Sequence, residues 1–416
     1  MNATTSDIVI VGAGIVGIAT AALLTEAGHT VTVIDRSGIA EQTSKGNAAA
    51  FAFSDIMPLA SPKIILKAPK WLLDPLGPLS IRPSYLPRLA PWLWQFWKAS
   101  QPWRLEASTA AQTALMRLAE TEMMALVERA GIAHMVRHDG SLELHESEAE
   151  FKATLSGWRR REQAGIAFEH VRGARLAELQ PGLSPRFVAG TFVPGWKTVS
   201  EPQHFAQALW AHAERLGAVF IKAEASGLEH DSSGPSLRMA DGTNRRAKTI
   251  IICAGAWSTR LINPVTRLRI PLDTERGYNT TLPPGTFDLK RQLIFGNHGF
   301  VITPLETGLR VGGAVELGGL DLPPNYARAK AMLGKAKSFL PGLETSGGTE
   351  WMGFRPSLPD SLPVIGALPE DRSVLLGFGN GHLGLTQSAA MGRLLADLVA
   401  GKQPSIDIAA CRPDRF

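Results

Sequence analysis

Cysteine is nearly absent from this sequence, since the 416 residues contain only Cys253 and Cys411. The two form no CxxC pair and stand beside no pair of histidines. This excludes a disulfide framework and a Cys/His metal site, and no metal ion is expected. Cysteine use of this kind favours a reducing compartment, so we expect a cytoplasmic protein.

Long apolar runs and blocks of like charge are also missing. No run of about 18 apolar residues occurs, so no segment is expected to cross a bilayer. The first apolar stretch carries Asp7 and Glu26, so no signal peptide is expected there. The net charge is only +5, and the densest basic run, at 159–161, predicts a solvated helix face. Nucleic-acid binding is therefore excluded, while weak attraction to an anionic membrane is compatible with the charge.

Near the start of the chain, in contrast, three glycines follow a spacing that is typical of a nucleotide-binding turn. The apolar run at 7–11 predicts a buried strand, and Gly12, Gly14 and Gly17 follow it at the start of a predicted helix. A tight turn of this kind directs helix N–H groups at a pyrophosphate. The strand predicted at 30–34 ends at Asp35, at the spacing that brings a carboxylate to a ribose hydroxyl. The residues expected to contact a dinucleotide here are Gly12, Gly14, Ile15, Val16, Gly17, Asp35 and Arg36.

The turn alone does not identify the dinucleotide, because FAD and NAD(P) use the same one. Arg36 could hold a 2′-phosphate, which keeps NADP open. A second glycine-rich loop, at 377–384, opens into a helix predicted to begin near Leu385. Such a helix start suits the pyrimidine edge of a flavin, where negative charge accumulates on reduction. This favours FAD, since reduction of nicotinamide leaves no anion to stabilise.

Composition and periodicity divide the chain into alternating stretches. Residues 58–103 contain nine prolines and five tryptophans, which marks a departure from the nucleotide domain. Helices are predicted at 105–131, 146–165 and 201–216, and strands at 141–145, 188–194, 218–222, 249–253 and 373–376. Residues 43–62 are predicted as a loop, 223–248 as turn-rich, and 263–345 as short strands of an antiparallel sheet. We therefore predict a nucleotide domain made of residues 1–60, 196–262 and 350–416, and a second domain made of 61–195 and 263–349.

Seven segments carry a family resemblance, in one order across nearly the whole chain: VGAGIVG, the TSxxN-A loop at 43–48, ICAGAWS at 252–258, RGY at 276–278, RVGGAVELGG at 310–319, FRPSLPDSLPVIG at 354–366 and GFGNGHLGLTQSAAMGRLLADL at 377–398. In these segments the chain resembles the D-amino-acid oxidase superfamily of FAD enzymes, most closely the bacterial D-amino-acid dehydrogenase branch of the small-subunit type. His382 and Leu385 depart from better-known members, which carry a small hydroxyl residue and a tryptophan there. These two differences leave the identity of the substrate open but do not affect the expected fold.

The resemblance implies an α/β fold in which a Rossmann-like FAD-binding domain of the GR2 or DAO type is joined to an α+β substrate domain. The substrate domain is expected to be built on an antiparallel sheet, with the flavin ring between the domains. From sequence alone, the loop at 43–48 could be only hydrophilic and the small residues after strands could be ordinary turns. The further FAD contacts that the resemblance implies are Thr43, Ser44, Asn47, Ala48, Ala225, Ala254, Gly255, Gly379, Gly381, His382, Leu383, Gly384, Leu385 and Thr386.

The chemistry of an amino acid predicts a fixed cation in the substrate site. Arg355 is the candidate, because a guanidinium grips a carboxylate with two parallel hydrogen bonds; the alternative is a structural ion pair with Asp360. Tyr278 either caps the pocket and bonds the carboxylate or faces the core. His382 either touches the substrate or the flavin edge, or faces solvent.

The expected activity is the oxidative deamination or dehydrogenation of a small D-amino acid, by hydride transfer from Cα to flavin N5. A cyclic substrate such as D-proline or cis-4-hydroxy-D-proline is considered, with electrons passing to a quinone or another non-oxygen acceptor. The alternatives are an oxygen-using oxidase of glycine, sarcosine or another secondary amine, and a non-catalytic FAD-binding subunit. The aromatic run at 91–97 could lie at the inner face of a membrane, although a packed helix is the preferred interpretation. The oligomeric state is not determined by the sequence.

Overall fold

The structure is a computed structural model that describes residues 7–74, 76–231 and 234–416. Within these ranges the helices are α1 (Ile15–Glu26), α2 (Pro62–Leu72), α3 (Leu86–Ala99), α4 (Pro102–Ala130), α5 (Glu148–Gln163), α6 (Gly173–Leu179), α7 (Pro202–Arg215), α8 (Ser258–Ile262), α9 (Ala327–Phe339) and α10 (Gly384–Val399). The strands are β1 (Ile8–Val11), β2 (Val31–Asp35), β3 (Ala50–Phe51), β4 (Leu79–Ile81), β5 (Val136–Arg137), β6 (Ser141–His145), β7 (Glu169–Val171), β8 (Ala189–Val193), β9 (Lys197–Val199), β10 (Val219–Lys222), β11 (Ala225–Asp231), β12 (Gly234–Met239), β13 (Asn244–Arg246), β14 (Thr249–Ile252), β15 (Asp273–Leu282), β16 (Gln292–Phe295), β17 (Phe300–Leu305), β18 (Gly308–Leu317), β19 (Thr349–Ser357), β20 (Val364–Ala367) and β21 (Val374–Phe378). Among these helices none combines the length and the apolar character needed to cross a membrane.

A six-stranded sheet in the order β10-β2-β1-β14-β21-β20 forms the first layer. Its strands are parallel except β20, which runs antiparallel to β21. β1 is buried on both faces, as its unbroken apolar sequence requires in a covered parallel sheet. α1 and α10 pack on one side so closely that a Cβ at Gly392 would lie 3.0 Å from Thr20 Cα. The expected Rossmann-like unit is confirmed.

A larger sheet of nine strands forms the second layer, in the order β19-β15-β18-β17-β16-β6-β8-β7, with β4 paired to β18. Its pairs are antiparallel apart from β16 with β6 and β4 with β18. Because side chains alternate along a strand, the sheet has two faces: one packs on a core that includes α9, and the other lines a cavity against the first layer. The expected antiparallel substrate sheet is thus present, in mixed form.

Several features differ from the sequence predictions. α9 was not predicted, although Met332, Ala336 and Phe339 place an apolar stripe of helical period against the second sheet. Part of the predicted turn-rich stretch is a three-stranded antiparallel sheet, β11-β12-β13, and residues 232–233 lie outside the described residues. β15 and β18 are ten residues long rather than short. Finally, β19 pairs with β15, whereas the predicted division assigned residues from 350 onward to the nucleotide domain.

Candidate active site

A cavity of about 760 Å³ lies where the carboxyl ends of β1, β2 and β14 meet one face of the nine-stranded sheet. This volume is within the range of natural ligand-binding clefts, and the carboxyl edge of a parallel sheet is where such folds bind ligands. The predicted site residues in its wall are Gly12, Gly14, Ile15, Val16, Asp35, Arg36, Thr43, Ser44, Asn47, Ala48, Ala225, Ala254, Gly255, Tyr278, Arg355, Gly381, His382, Leu383, Gly384 and Leu385. Three predicted contacts, Gly17, Gly379 and Thr386, do not line it.

Gly12 and Gly17 set the turn between β1 and α1. Gly12 has a φ of 110°, and a Cβ there would lie 2.7 Å from the carbonyl carbon of Cys253, just after β14. A Cβ at Gly17 would overlap the carbonyl oxygen of Gly12. A side chain at either position would push α1 away from the sheet. Gly17 therefore acts through packing, while the start of α1 stands in the cavity wall.

Asp35 occupies the carboxyl end of β2, at the edge of the cavity. Its two oxygens accept hydrogen bonds from the backbone N–H groups of Ala13 (2.9 Å) and Ser37 (2.7 Å). These bonds hold the carboxylate in one orientation and leave further lone pairs free, since an ionised carboxylate has about four acceptor sites. The arrangement suits a ribose hydroxyl.

Arg36 lies in the cavity wall, where two side chains hold its guanidinium. Its guanidinium carbon lies 4.6 Å from the centroid of the Trp257 ring, and Nη1 is 3.4 Å from Glu224 Oε1. The carboxylate of Glu224 balances its charge. This geometry gives no support to a dedicated 2′-phosphate site, which agrees with FAD rather than NADP.

The loop at 43–48 is fastened to the nine-stranded sheet through its carbonyl oxygens. Asn279 Nδ2 donates to Gly46 O (2.8 Å), Arg310 Nη1 to Asn47 O (2.8 Å) and Gln292 Nε2 to Ala48 O (2.9 Å). Sequence reasoning missed these three donors, because they come from three strands that only sheet pairing brings together. With its carbonyls engaged, the loop presents backbone N–H groups and small side chains to the cavity.

Three side chains of this loop have partners within the protein. Thr43 Oγ1 donates to the Phe354 carbonyl (2.9 Å), and Ser44 Oγ accepts from the Ile15 N–H (3.0 Å). The amide of Asn47 bonds within the loop, donating to Ser44 O and accepting from the Ala49 N–H. The hydrophilic character of the loop thus serves its own folding as well as the cavity.

A buried ion pair supports the same loop from behind. Arg310 Nη2 lies 3.2 Å from Glu201 Oε1, and both side chains are more than nine-tenths buried. Burial lowers the pKa of Arg310, and the charge of Glu201 opposes that effect. Because breaking one partner would leave a buried charge alone, this pair fixes the guanidinium that holds Asn47.

The second glycine loop places the start of α10 at the cavity. Gly381 N donates to the Pro356 carbonyl (2.7 Å), and Gly379 has a φ of 91° that favours glycine. Leu383, Gly384 and Leu385 bring the N-terminus of α10 into the wall. Thr386 instead turns inward, where its Oγ1 accepts from Ala52 N (3.0 Å) and donates to Ala50 O (3.2 Å). Thr386 is therefore a structural residue of the helix start.

Alternation along β15 decides the position of Tyr278. Tyr278 borders the cavity between Gly277 and Asn279, but its side chain is fully buried and packs in the core behind the sheet. Its hydroxyl donates to Glu316 and accepts from Asn325 N (3.0 Å). This placement contradicts the expectation that the hydroxyl bonds a substrate carboxylate, and the alternative, a strand residue facing the core, is correct.

Arg355 reaches across the sheet on the cavity side. Its Nη1 donates to the Ala314 carbonyl (2.9 Å), and a Cβ at Gly277 would lie 2.5 Å from its guanidinium carbon. Burial lowers the pKa of Arg355, with Glu275 opposing. The alternative pairing with Asp360 does not occur, because Asp360 pairs with Arg415 at 2.7 Å. Arg355 is thus a desolvated cation in the cavity wall that has no ion-pair partner among the described residues.

A second charged group stands at another part of the same wall. His382 Nε2 lies 3.2 Å from Asp55 Oδ2, and Arg161 Nη2 lies 3.3 Å from Asp55 Oδ1. Burial raises the pKa of Asp55, but the hydrogen bonds and charges of His382 and Arg161 outweigh it, so that the pKa is lowered overall. Arg161 was expected on a solvated face; instead its Nε donates to Ser54 O (2.9 Å). His382 faces the cavity and not solvent alone.

These parts together fit a flavin dinucleotide. The glycine turn leaves space for a ligand at positions where a Cβ would collide with the backbone. The N-termini of α1 and α10 both lie in the wall of this cavity. The start of α1 suits a pyrophosphate, and the start of α10 suits a ring that gains negative charge. Asp35, at the carboxyl end of β2, suits a ribose hydroxyl of the same dinucleotide.

Comparison with known proteins agrees with this geometry. The family model DAO, described as FAD dependent oxidoreductase, matches residues 7–398. A D-amino-acid oxidase of Bradyrhizobium diazoefficiens is 34% identical over 419 residues, covering 98% of this chain and 98% of that protein. A D-amino acid dehydrogenase of the same organism is 30% identical over 417 residues, again with 98% of each chain covered.

Among solved structures, glycine oxidase from Geobacillus kaustophilus superposes with a TM-score of 0.76 at 23% identity, covering 99% of both chains. L-proline dehydrogenase from P. horikoshii gives a TM-score of 0.75 at 19% identity, covering 99% of this chain and 98% of that one. At these identities the structures show a shared fold. The expectations of an FAD enzyme and of this superfamily are confirmed. The chain belongs to the DAO family of FAD-dependent oxidoreductases.

Proposed function

We propose that this protein is an FAD-dependent dehydrogenase that oxidises a D-amino acid to its imine. The observation that carries the proposal is Arg355, a desolvated guanidinium without an ion-pair partner among the described residues, in the wall of the cavity that holds the dinucleotide turn. The relatives named D-amino-acid oxidase and D-amino acid dehydrogenase support the D configuration.

The chain's own residues bind and orient the substrate. Arg355 can hold the α-carboxylate through its Nε and the second hydrogen of Nη2, since Nη1 donates to Ala314 O and Nη2 makes one long bond (3.5 Å) to Gly313 O. FAD, when bound, accepts the hydride that leaves Cα. The substrate loses two electrons and two protons in becoming the imine, which water hydrolyses to the oxo acid and ammonia. The positive end of α10 suits the negative charge that accumulates on a reduced flavin.

Electron transfer to a membrane quinone is supported by the surface formed by α2, α3 and the start of α4. Trp94 and Trp103 are 56% and 67% exposed and Leu73 is 85% exposed, whereas Trp92 packs inside. Of the eight charged residues at 62–104, seven are basic. Exposed tryptophans among basic side chains match the interface of an anionic bilayer. The run at 91–97 is therefore both a packed helix and an exposed aromatic face.

An oxygen-using oxidase is the second candidate, favoured by the 34% identical oxidase and by the glycine oxidase fold. Peroxide release under air would support it, whereas turnover only with quinone or dye would support the dehydrogenase. A small cyclic substrate such as D-proline or cis-4-hydroxy-D-proline stays a prediction.

Anaerobic bleaching of the bound flavin by a panel of D- and L-amino acids tests the proposal. We expect D isomers to bleach the wild type, and Arg355→Ala to abolish bleaching at ordinary substrate concentrations while the protein stays yellow. A non-catalytic FAD-binding subunit would bleach with neither isomer. If Arg355→Ala bleaches as fast as the wild type, the carboxylate site is elsewhere.

A further inference from the structure

The cavity has a carboxylate that the proposed reaction does not use. Glu143 lies on β6, where Leu142 and Leu144 pack in the core behind the sheet while Ser141 and Glu143 line the cavity. Its Oε1 lies 3.2 Å from the position that a Cβ would take at Gly296, so the carboxylate extends sideways over the end of β16. Among the residues that the structure describes, this carboxylate has no hydrogen-bond or ion-pair partner.

The charged neighbours of Glu143 are engaged elsewhere. Arg161, on α5, gives its donors to Ser54 and Asp55, and Asp55 is also bonded by His382. Lys67, on α2, is exposed, and its Nζ donates to Asn297 Oδ1 (3.3 Å). Burial raises the pKa of Glu143 and Asp55 adds to the increase, while Arg161 and Lys67 oppose it. A half-buried, desolvated carboxylate of this kind is stabilised when a cation enters the cavity beside it.

Sheet geometry gives the distance between Glu143 and Arg355. The Arg355 guanidinium lies over Gly277 of β15 and bonds Ala314 of β18, while the Glu143 carboxylate lies over the end of β16. β17 separates β18 from β16, so two to three strand spacings, or roughly 10–14 Å, lie between the two charges. Phe295 of β16 pairs with Phe300 of β17, which pairs with Gly313 of β18, so the two charges stand at a similar level along the strands.

This separation matches one class of substrate. In an extended amino acid with six bonds of about 1.5 Å between the carboxyl carbon and the terminal nitrogen, these two atoms are roughly 7–8 Å apart. A hydrogen bond of about 2.9 Å at each end gives a span of about 13 Å. Lysine has this length and arginine is one bond longer, and both end in a cation, whereas alanine, glycine or proline would leave Glu143 without a partner.

We propose that Glu143 binds the cationic end of the substrate side chain, and that the preferred substrates are basic D-amino acids such as D-lysine or D-arginine. The assignment rests on the proposed D-amino-acid oxidation and deepens it. Arg355 holds the α-carboxylate, Glu143 holds the distal ammonium or guanidinium, and the strand ends between them form the floor.

The test compares D-lysine and D-arginine with D-norleucine, a neutral substrate of similar length, together with D-alanine and D-proline. Dye-coupled kcat/KM is measured for the wild type, Glu143→Gln and the control Glu162→Gln, which makes the same change on the exposed face of α5. In the wild type we expect the basic substrates to exceed D-norleucine by about 10- to 100-fold, the worth of a charged hydrogen bond. Glu143→Gln should remove that advantage through KM, so that the basic substrates and D-norleucine are turned over with similar kcat/KM, and Glu162→Gln should change nothing.

Equal wild-type values for D-lysine and D-norleucine would overturn the assignment, and this comparison needs no variant. A Glu143→Gln enzyme that loses activity equally on every substrate would show a structural role instead. A preference for D-proline or D-alanine that Glu143→Gln leaves intact would overturn it as well. If no D-amino acid reduces the flavin in any variant, the proposed function itself fails.

Discussion

Gly277→Ala tests the substrate site directly, because it displaces the guanidinium of Arg355 without removing it. The added Cβ would lie 2.5 Å from the guanidinium carbon of Arg355 and 2.8 Å from its Nε. The backbone at Gly277 does not adopt a positive φ, so alanine fits the strand. The end of a long side chain moves easily, so we expect the free energy of unfolding to change by less than about 1 kcal/mol.

The binding geometry, in contrast, should suffer. A displaced guanidinium loses the paired alignment that a carboxylate needs, and a charged hydrogen bond contributes about 1.5–3 kcal/mol. At about 1.4 kcal/mol for each tenfold, this predicts a KM for the amino acid that is about 10- to 100-fold higher. The bound flavin and its visible spectrum should be unchanged, because the dinucleotide turn is elsewhere in the cavity.

Steady-state kinetics and thermal unfolding of Gly277→Ala test this, with Gly334→Ala as the matched control. Gly334 lies in α9, and a Cβ there would meet no atom within 4 Å. The control should keep the wild-type KM. An unchanged KM in Gly277→Ala, at wild-type stability, would show that Arg355 does not hold the substrate carboxylate.

Three further predictions concern other parts of the site. Arg310→Met should leave Glu201 as a buried carboxylate without its ion-pair partner and should remove the donor to Asn47 O. We expect the protein to lose about 3–5 kcal/mol of stability and to retain flavin less well on dialysis. An unchanged melting curve would contradict the proposed support of the loop. Tyr278→Phe should destabilise the fold by about 1–3 kcal/mol, because Glu316 Oε2 loses its donor and Asn325 N its acceptor while Arg82 keeps the other oxygen of Glu316, and KM should be unchanged. A raised KM would indicate that the hydroxyl contacts the substrate. Because the pKa of Asp55 is lowered in the folded protein, its stabilisation is present above the ordinary value of 3.8 and is lost as the pH falls through the lowered pKa. The stability difference between wild type and Asp55→Asn should therefore shrink in strong acid, and a difference that is constant with pH would contradict the pairing.

Local signals predicted the nucleotide half of the site. One βαβ unit contains the turn at Gly12, Gly14 and Gly17 and the acid Asp35. Within such a unit the geometry depends on residues close together in the sequence, so a fixed spacing predicts it. The polar residue Glu143 between Leu142 and Leu144 was also visible as an alternation. Its position opposite Arg355 across the cavity could not be predicted, because no local pattern encodes which strands pair.

Tyr278 and Arg355 show where local signals end. Both stand in segments that carry the family resemblance; the sequence predicts Arg355 in the pocket and leaves Tyr278 open between the pocket and the core. A single residue of register sends Tyr278 behind the sheet and keeps Gly277 in the cavity, where it makes room for Arg355. Likewise, Asn279, Gln292 and Arg310 hold one loop only because three strands distant in sequence lie side by side.

The sequence by itself determined the dinucleotide turn, the helix starts that face the cofactor and the family to which the chain belongs, since these depend on short segments with fixed spacing. Tertiary structure alone decided which side chains of the large sheet face the cavity, which carbonyls hold the loop at 43–48, and how far Glu143 stands from Arg355. The physical reason is that strand pairing sets both register and lateral distance, and pairing is settled by the packing of the whole chain.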